Sequence, residues 1–95
     1  MGDFEGRVAF VTGGSSGIGR ATAVAFGREG ASVALVARRR VECEAAASEV
    51  RAAGGKAVFI CADVTIEEEV RSAVETAVGA YGGIDIAFNN AGTWT

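Results

Sequence analysis

A glycine-rich turn between an apolar run and a helical pattern constrains this chain more than any other feature. The apolar run Val8-Ala9-Phe10-Val11 is followed by Thr12-Gly13-Gly14-Ser15-Ser16-Gly17-Ile18-Gly19, and a helical pattern continues from Arg20. Glycines let main-chain N–H groups approach an anion where a Cβ would collide, and they reach dihedral angles that strain other residues. The following helix adds unpaired N–H groups and the positive end of its dipole. The order of strand, glycine turn and helix predicts a diphosphate site, and an ordinary glycine-rich loop is the alternative.

Size and composition indicate one small folded domain over residues 1–95. Of the 95 residues, 49% are hydrophobic and 22% are charged, a composition of folded rather than disordered proteins. The net charge of −3 provides no overall basic field to attract nucleic acid or acidic membranes. We therefore expect neither as a partner. No apolar run is long enough to cross a bilayer, and the acidic start Met1-Gly2-Asp3-Phe4-Glu5 is unlike a secretion signal.

The two cysteines, Cys43 and Cys61, lie in a helical pattern and in an apolar run. They have no CxxC spacing, and the chain contains no histidine, so the usual ligands of a zinc site are missing. We expect no metal site and two free thiols in a reducing cytoplasm.

Short β-branched runs alternate with longer helical patterns along the chain, which favours a parallel sheet covered by helices. Strands are predicted at 7–12, 31–37, 56–62 and 84–88, and helices at about 17–30, 41–53 and 65–81. Right-handed crossovers then give the strand order 3-2-1-4 with helices on both faces. The predicted fold class is α/β, a Rossmann-like three-layer sandwich.

Apolar stripes predict the buried faces of the first and third helices. On the first helix the stripe consists of Ile18, Ala21, Ala25 and Phe26. On the third it consists of Val70, Val74, Ala77, Val78 and Tyr81. Thr65 with Glu68 three residues later predicts a capping box that opens the third helix.

Three motifs resemble those of the short-chain dehydrogenases/reductases, in the same order and at the same element ends. They are TGxxxGxG at residues 12–19, Asp63-Val64 after strand three and Asn89-Asn90-Ala91-Gly92 after strand four. The resemblance covers essentially the whole chain. It implies the N-terminal dinucleotide-binding part of an oxidoreductase that transfers a hydride between NAD(P)(H) and a carbonyl or secondary alcohol.

The predicted cofactor site combines the glycine turn with the ends of strands two, three and four. Asp63 is expected to accept a hydrogen bond from the adenine amine while Val64 packs on the ring; the alternative is that Asp63 only caps the next helix. The resemblance places the segment after strand four near the ribose, where it also stabilises the sheet. The predicted cofactor-binding residues are Gly13, Ser15, Ser16, Gly17, Ile18, Gly19, Arg38, Arg39, Asp63, Val64, Asn90, Ala91 and Gly92.

The charge after strand two favours NADP(H) over NAD(H). An NAD site usually has a carboxylate there for the ribose 2′-OH, but this chain has Arg38 and Arg39. No carboxylate is therefore expected to be available to repel a 2′-phosphate, and Arg38 offers it a planar fork. Ser16 stands where many NADP-preferring relatives carry a basic residue, so the preference rests on Arg38 with help from Arg39. Arg40 is assigned to the solvated entry of helix two.

The family's catalytic tyrosine, the lysine four residues later and the strand-five serine have no match here. The sole tyrosine is Tyr81, followed four residues later by Asp85, and the sole lysine is Lys56. We expect a half-domain that ends after strand four and has no dehydrogenase activity alone. It should form a homo-oligomer through the strand-four edge and uncovered helix faces. The alternatives are a non-catalytic nucleotide-binding module and a purely structural half-domain.

Overall fold

Strands and helices alternate along the chain in the computed structural model, which describes residues 2–13 and 17–89. The elements are β1 (Val8–Thr12), α1 (Gly17–Arg28), β2 (Ser32–Ala37), α2 (Arg40–Ala52), β3 (Lys56–Cys61), α3 (Glu67–Tyr81) and β4 (Ile86–Asn89). Within the described residues the strands form one sheet in the order β3-β2-β1-β4. All three neighbouring pairs are parallel, which confirms the predicted fold class and topology.

The carboxyl ends of the strands all lie at the same end of the sheet. Thr12 at the end of β1 is in register with Val36 of β2 and with Asn89 of β4. Ala37 at the end of β2 is in register with Cys61 of β3. The turns that follow these strands therefore share one end of the domain. In open parallel sheets this end carries the ligand crevice.

Alternate residues of each strand point to opposite faces of the sheet, and helices pack against both faces. Ala9 and Val11 of β1 pack in a cluster with buried residues of α1 and α2. Phe10, between them, packs in a second cluster with Ala73 and Ala77 of α3. Every residue of β1 is buried, as expected for a central parallel strand whose first four residues are apolar.

The buried face of α1 differs from the predicted stripe. Its buried residues are Gly19, Ala23 and Gly27, whereas Ile18 is 70% exposed. The physical reason is the close approach of α2, since a Cβ at Gly27 would lie only 2.6 Å from Val50 Cγ1. Small residues therefore line the contact. Of the predicted stripe, Phe26 packs against the core, whereas Ile18, Ala21 and Ala25 are exposed.

The start of α3 also differs from the prediction. The N-cap is Ile66, with no side-chain capping bond, so the capping box of Thr65 and Glu68 does not form. The Thr65 hydroxyl instead donates to Asp63 Oδ1 at 2.6 Å, and Glu69 Oε1 accepts the Asp63 N–H at 2.6 Å. An aspartate two residues upstream competes for the threonine side chain, which the cap pattern alone did not reveal.

The predicted stripe of α3 is only partly buried. The buried residues of α3 are Ala77, which belongs to the predicted stripe, and Ala73, which does not, while Val78 is 41% exposed. The helix thus presents small side chains to the sheet, and the bulkier Val70, Val74 and Tyr81 are half-buried at its flanks.

β4 begins two residues later than predicted because Asp85 forms two hydrogen bonds with Val8 at the start of β1. Its Oδ2 accepts the Val8 N–H at 2.9 Å, and its own N–H donates to the Val8 carbonyl at 2.9 Å. The carboxylate thus takes the place of a strand carbonyl, and the ladder starts at Ile86.

Candidate functional site

A cavity of about 460 Å³ lies at the carboxyl ends of β1, β2 and β3. Among the described residues, it brings together five of the predicted site residues: Gly13, Arg38, Arg39, Asp63 and Val64. The other described lining residues are Val36, Ala37, Glu42, Ala62 and Thr65. Its volume lies within the usual range for small-ligand sites, which is roughly 300–1,000 Å³.

Glycine is required at both described ends of the turn after β1. Gly13 has φ +67° and Gly17 has φ +59°, in the left-handed region where other residues are strained. The Gly13 N–H donates to the Val36 carbonyl at 2.8 Å, which fixes the start of the turn beside β2. Gly17, Ile18 and Gly19 form the first turn of α1.

Ser15, Ser16, Asn90, Ala91 and Gly92 lie outside the described residues, so their predicted roles remain predictions. The fourth residue of the strand-four motif, Asn89, is described and belongs to β4. The fully buried Thr12 hydroxyl lies 3.0 Å from Asn89 Oδ1 and 3.4 Å from the Phe88 carbonyl oxygen. This contact ties the end of β1, from which the glycine turn starts, to the end of β4.

The Asp63 carboxylate is held as an ionised acceptor in the cavity wall. Its Oδ1 accepts bonds from the Thr65 hydroxyl at 2.6 Å and the Thr65 N–H at 2.9 Å. Its Oδ2 lies 3.2 Å from Arg38 Nη1. The Thr65 hydrogen bonds, followed by the Arg38 charge, lower the pKa of Asp63 below its ordinary value. Asp63 therefore organises the turn before α3 without capping the helix, whose N-cap is Ile66, and it also lines the cavity.

Arg38 and Arg39 both face carboxylates within the cavity. Arg38 pairs with Asp63, and Arg39 Nη1 lies 3.8 Å from Glu42 Oε2. Both arginine side chains remain mostly exposed, Arg38 at 71% and Arg39 at 80%. Arg40, which was assigned to solvent, is exposed, and its guanidinium lies 5.5 Å above the Phe59 ring.

Glu42 is the charged lining residue that the sequence reasoning missed. The end of β2 carries no carboxylate, as predicted, but Glu42 reaches the same cavity from the first turn of α2. The prediction that no carboxylate is available to repel a 2′-phosphate therefore does not hold for this cavity. The available signal was its spacing, three residues after Arg39 on a helix.

The two cysteines occupy different environments and are both free. Cys43 is buried in α2, and burial raises the pKa of its thiol to about 11. Cys61 is exposed at the end of β3, and its thiol donates to the Arg38 carbonyl at 3.2 Å. In residues 2–13 and 17–89 no three acidic, cysteine or histidine side chains gather as metal ligands do.

In the part of the chain that the structure describes, no helix combines the length and apolar character needed to cross a membrane.

A family model described as short chain dehydrogenase matches residues 7–95. The chain belongs to the short-chain dehydrogenase/reductase family. Its sequence corresponds to the N-terminal part of family members, as the three motifs indicated.

Curated relatives of this short-chain dehydrogenase/reductase carry out different named reactions. The 2,5-dichloro-2,5-cyclohexadiene-1,4-diol dehydrogenase of Sphingobium indicum is 44% identical over 91 residues, covering 96% of this chain and 35% of the relative. The A-factor type gamma-butyrolactone 1′-reductase of Streptomyces virginiae is 46% identical over 83 residues, covering 87% of this chain and 32% of the relative. The chain thus spans about a third of the length of the curated relatives it matches.

Solved structures of the family share the fold closely. An NAD⁺-bound xylitol dehydrogenase superposes with a TM-score of 0.91 at 42% identity, covering 95% of this chain and 35% of that one. The apo glucose dehydrogenase of Caenorhabditis elegans gives a TM-score of 0.87 at 40% identity, covering 93% of this chain and 38% of that one. The described sheet and helices are therefore those of the cofactor-binding part of this oxidoreductase family.

Proposed function

We propose that this chain binds the adenosine and diphosphate of a nicotinamide dinucleotide, with NADP(H) preferred over NAD(H). The observation that carries the proposal is the convergence of Gly13, Arg38 and Asp63, from three strand ends, on one cavity of about 460 Å³. These residues supply the three groups that such a ligand needs: a close main-chain approach, a cation and an anionic acceptor.

Asp63 has the properties of an adenine-binding residue in this site. The carboxylate is ionised at neutral pH, as its lowered pKa favours, so it accepts a hydrogen bond from the exocyclic amine. Oδ1 is engaged by Thr65, which orients the group and leaves Oδ2 on the Arg38 side. Val64 lies beside it in the lining, where it packs on the ring.

Arg38 has the position and donor geometry for a 2′-phosphate. Its guanidinium carries five N–H donors, so pairing one nitrogen with Asp63 leaves donors for phosphate oxygens. The side chain is 71% exposed and needs little desolvation to meet a ligand. The diphosphate then lies over the turn after β1, near the N-terminus of α1.

The whole protein, we propose, reduces a carbonyl or oxidises a secondary alcohol, with the bound cofactor supplying or accepting the hydride. The described residues do not provide the proton transfer for that step. Burial raises the pKa of Tyr81, the opposite of what an acid/base tyrosine near neutral pH needs. The chain is therefore proposed to bind cofactor without catalysing turnover by itself.

Self-association and location complete the proposal. β4 stands at the edge of the described sheet opposite β3, and sheet edges pair readily with further strands. We propose a homo-oligomer in which β4 pairs with its symmetry mate, so that size-exclusion chromatography gives a dimer; a stable monomer at micromolar concentration contradicts it.

The two free thiols fit a reducing compartment, and we propose the cytoplasm.

Calorimetric titration with NADP⁺, NAD⁺ and 2′,5′-ADP tests the binding proposal. We expect 2′,5′-ADP to bind nearly as tightly as NADP⁺ and more tightly than NAD⁺.

Titration with 5′-AMP and 5′-IMP tests the role of Asp63, since IMP replaces the amine by a carbonyl that the carboxylate repels. We expect IMP to bind about tenfold or more weakly than AMP. Absence of binding by all of these ligands supports a purely structural half-domain instead.

A further inference from the structure

Glu42 places a second carboxylate in the wall of the cavity. It lies in the first turn of α2, and its side chain is 43% exposed. The described lining therefore carries two arginines and two carboxylates, Arg38 and Arg39 with Glu42 and Asp63, so their formal charges cancel. The local charge is less favourable to an anion than the arginines alone suggest.

The two carboxylates are held differently. Asp63 accepts two short hydrogen bonds from Thr65 and pairs with Arg38. Glu42 Oε2 lies 3.8 Å from Arg39 Nη1, beyond hydrogen-bonding distance. Glu42 therefore pairs less closely with Arg39 than Asp63 pairs with Arg38, and its charge acts on an incoming anion in the same cavity.

We propose that Glu42 is a specificity-determining residue that weakens binding of the 2′-phosphate and narrows the preference of this site for NADP(H). This inference rests on the proposed dinucleotide-binding function. Two effects act in the same direction. The carboxylate repels a phosphate group of charge about −1.5 to −2 in the same cavity, and it competes with that group for Arg39.

A change of net charge alone would also strengthen anion binding, so the test needs a matched control. Glu44 is exposed on the same helix two residues further along, and it is absent from the described cavity lining. Glu42→Gln and Glu44→Gln remove the same charge from the same helix. Only the first removes it from the cavity.

The experiment is calorimetric titration of the chain and both variants with 2′,5′-ADP and with 5′-AMP, which lacks the 2′-phosphate. We expect Glu42→Gln to tighten 2′,5′-ADP binding by about three- to tenfold and to change 5′-AMP binding by less than about twofold. Glu44→Gln should change both by less than about twofold. Because the effect is electrostatic and partly exposed, it should shrink when the salt concentration rises from about 50 mM to 500 mM.

Each other outcome overturns the inference in a distinguishable way. If the unchanged chain binds both nucleotides and Glu42→Gln leaves their affinity ratio unaltered, Glu42 does not set specificity, while the proposed function stands. Equal effects of the two variants assign the change to net charge. If neither nucleotide binds the chain or its variants, the proposed function fails together with the inference.

Discussion

The Thr12 hydroxyl lies 3.0 Å from Asn89 Oδ1 across the β1–β4 pair. Thr12 ends β1 just before the glycine turn, and Asn89 ends β4 and is the first residue of the strand-four motif. Thr12 is fully buried, so the hydrogen bond is shielded from water and its loss leaves a buried polar group unsatisfied. The contact couples two parts of the proposed cofactor site that are 77 residues apart in sequence.

A double-mutant cycle measures this coupling. Thr12→Val removes the hydroxyl at nearly constant volume, and Asn89→Ala removes its partner. We expect Thr12→Val to lower the free energy of unfolding by about 1–2 kcal/mol and the cycle to show a coupling of about 1 kcal/mol, measured by urea unfolding. Strictly additive losses would show that the pair does not stabilise the sheet.

Gly27 and Gly79 form a matched pair of helical glycines with opposite expected outcomes. A Cβ at Gly27 would lie 2.6 Å from Val50 Cγ1, whereas a Cβ at Gly79 meets nothing within 4 Å. Gly27→Ala should therefore destabilise the fold by about 1–3 kcal/mol through overpacking of α1 on α2. Gly79→Ala should stabilise it by about 0.5–1 kcal/mol through helix propensity. Thermal unfolding monitored by circular dichroism separates them, and equal shifts of the same sign would contradict the packing.

Arg38 carries the predicted preference for the 2′-phosphate. Arg38→Asp should weaken 2′,5′-ADP binding by about tenfold or more, because a fork of donors is replaced by a repelling charge. The affinity for 5′-AMP should change much less. Arg28→Asp, at the exposed last turn of α1, makes the same change of charge away from the cavity and is the control. A similar loss for both nucleotides would point to damage of the adenine pocket rather than to recognition of the 2′-phosphate.

The pKa of Asp63 is expected to respond more to Thr65 than to Arg38, since the Thr65 hydroxyl is the largest cause of its lowering. Because the folded-state pKa lies below the unfolded one, the ionised carboxylate stabilises the fold at pH values above the unfolded pKa. That stability is lost as the pH falls through the folded pKa. Carboxyl NMR titration should show a larger upward pKa shift in Thr65→Ala than in Arg38→Gln. The reverse order would make the ion pair the dominant cause.

The two thiols should differ sharply in reactivity. Cys61 is exposed, whereas Cys43 is buried with a pKa of about 11. At pH 8, a thiol reagent such as 5,5′-dithiobis(2-nitrobenzoate) should label one thiol in the folded chain and two after unfolding. In the folded Cys61→Ser variant, the rapid labelling that we assign to Cys61 should disappear. Rapid labelling of the folded Cys61→Ser variant would show that α2 opens readily from the sheet.

Local patterns in the sequence determined the order of elements, the strand order and the glycine turn. β1 and β2 read as unbroken apolar runs because both faces of a central parallel strand are covered. The turn at Gly13 was recognisable because positive φ values and close anion approach both select glycine. Asp63 was singled out mainly by the resemblance of Asp63-Val64 to the family's motif, at a strand end where ligand crevices occur.

The tertiary structure decided which side of each helix is buried and which charges share the cavity. Gly19, Ala23 and Gly27 are the buried residues of α1, and at Gly27 the approach of Val50 in α2 leaves no room for a larger side chain, a constraint set by a residue distant in sequence. Glu42 reaches the cavity because the first turn of α2 directs it back toward the end of β2. Hydrophobicity and spacing act along the chain, whereas steric fit and electrostatic balance depend on distances through space, and only the folded arrangement sets those distances.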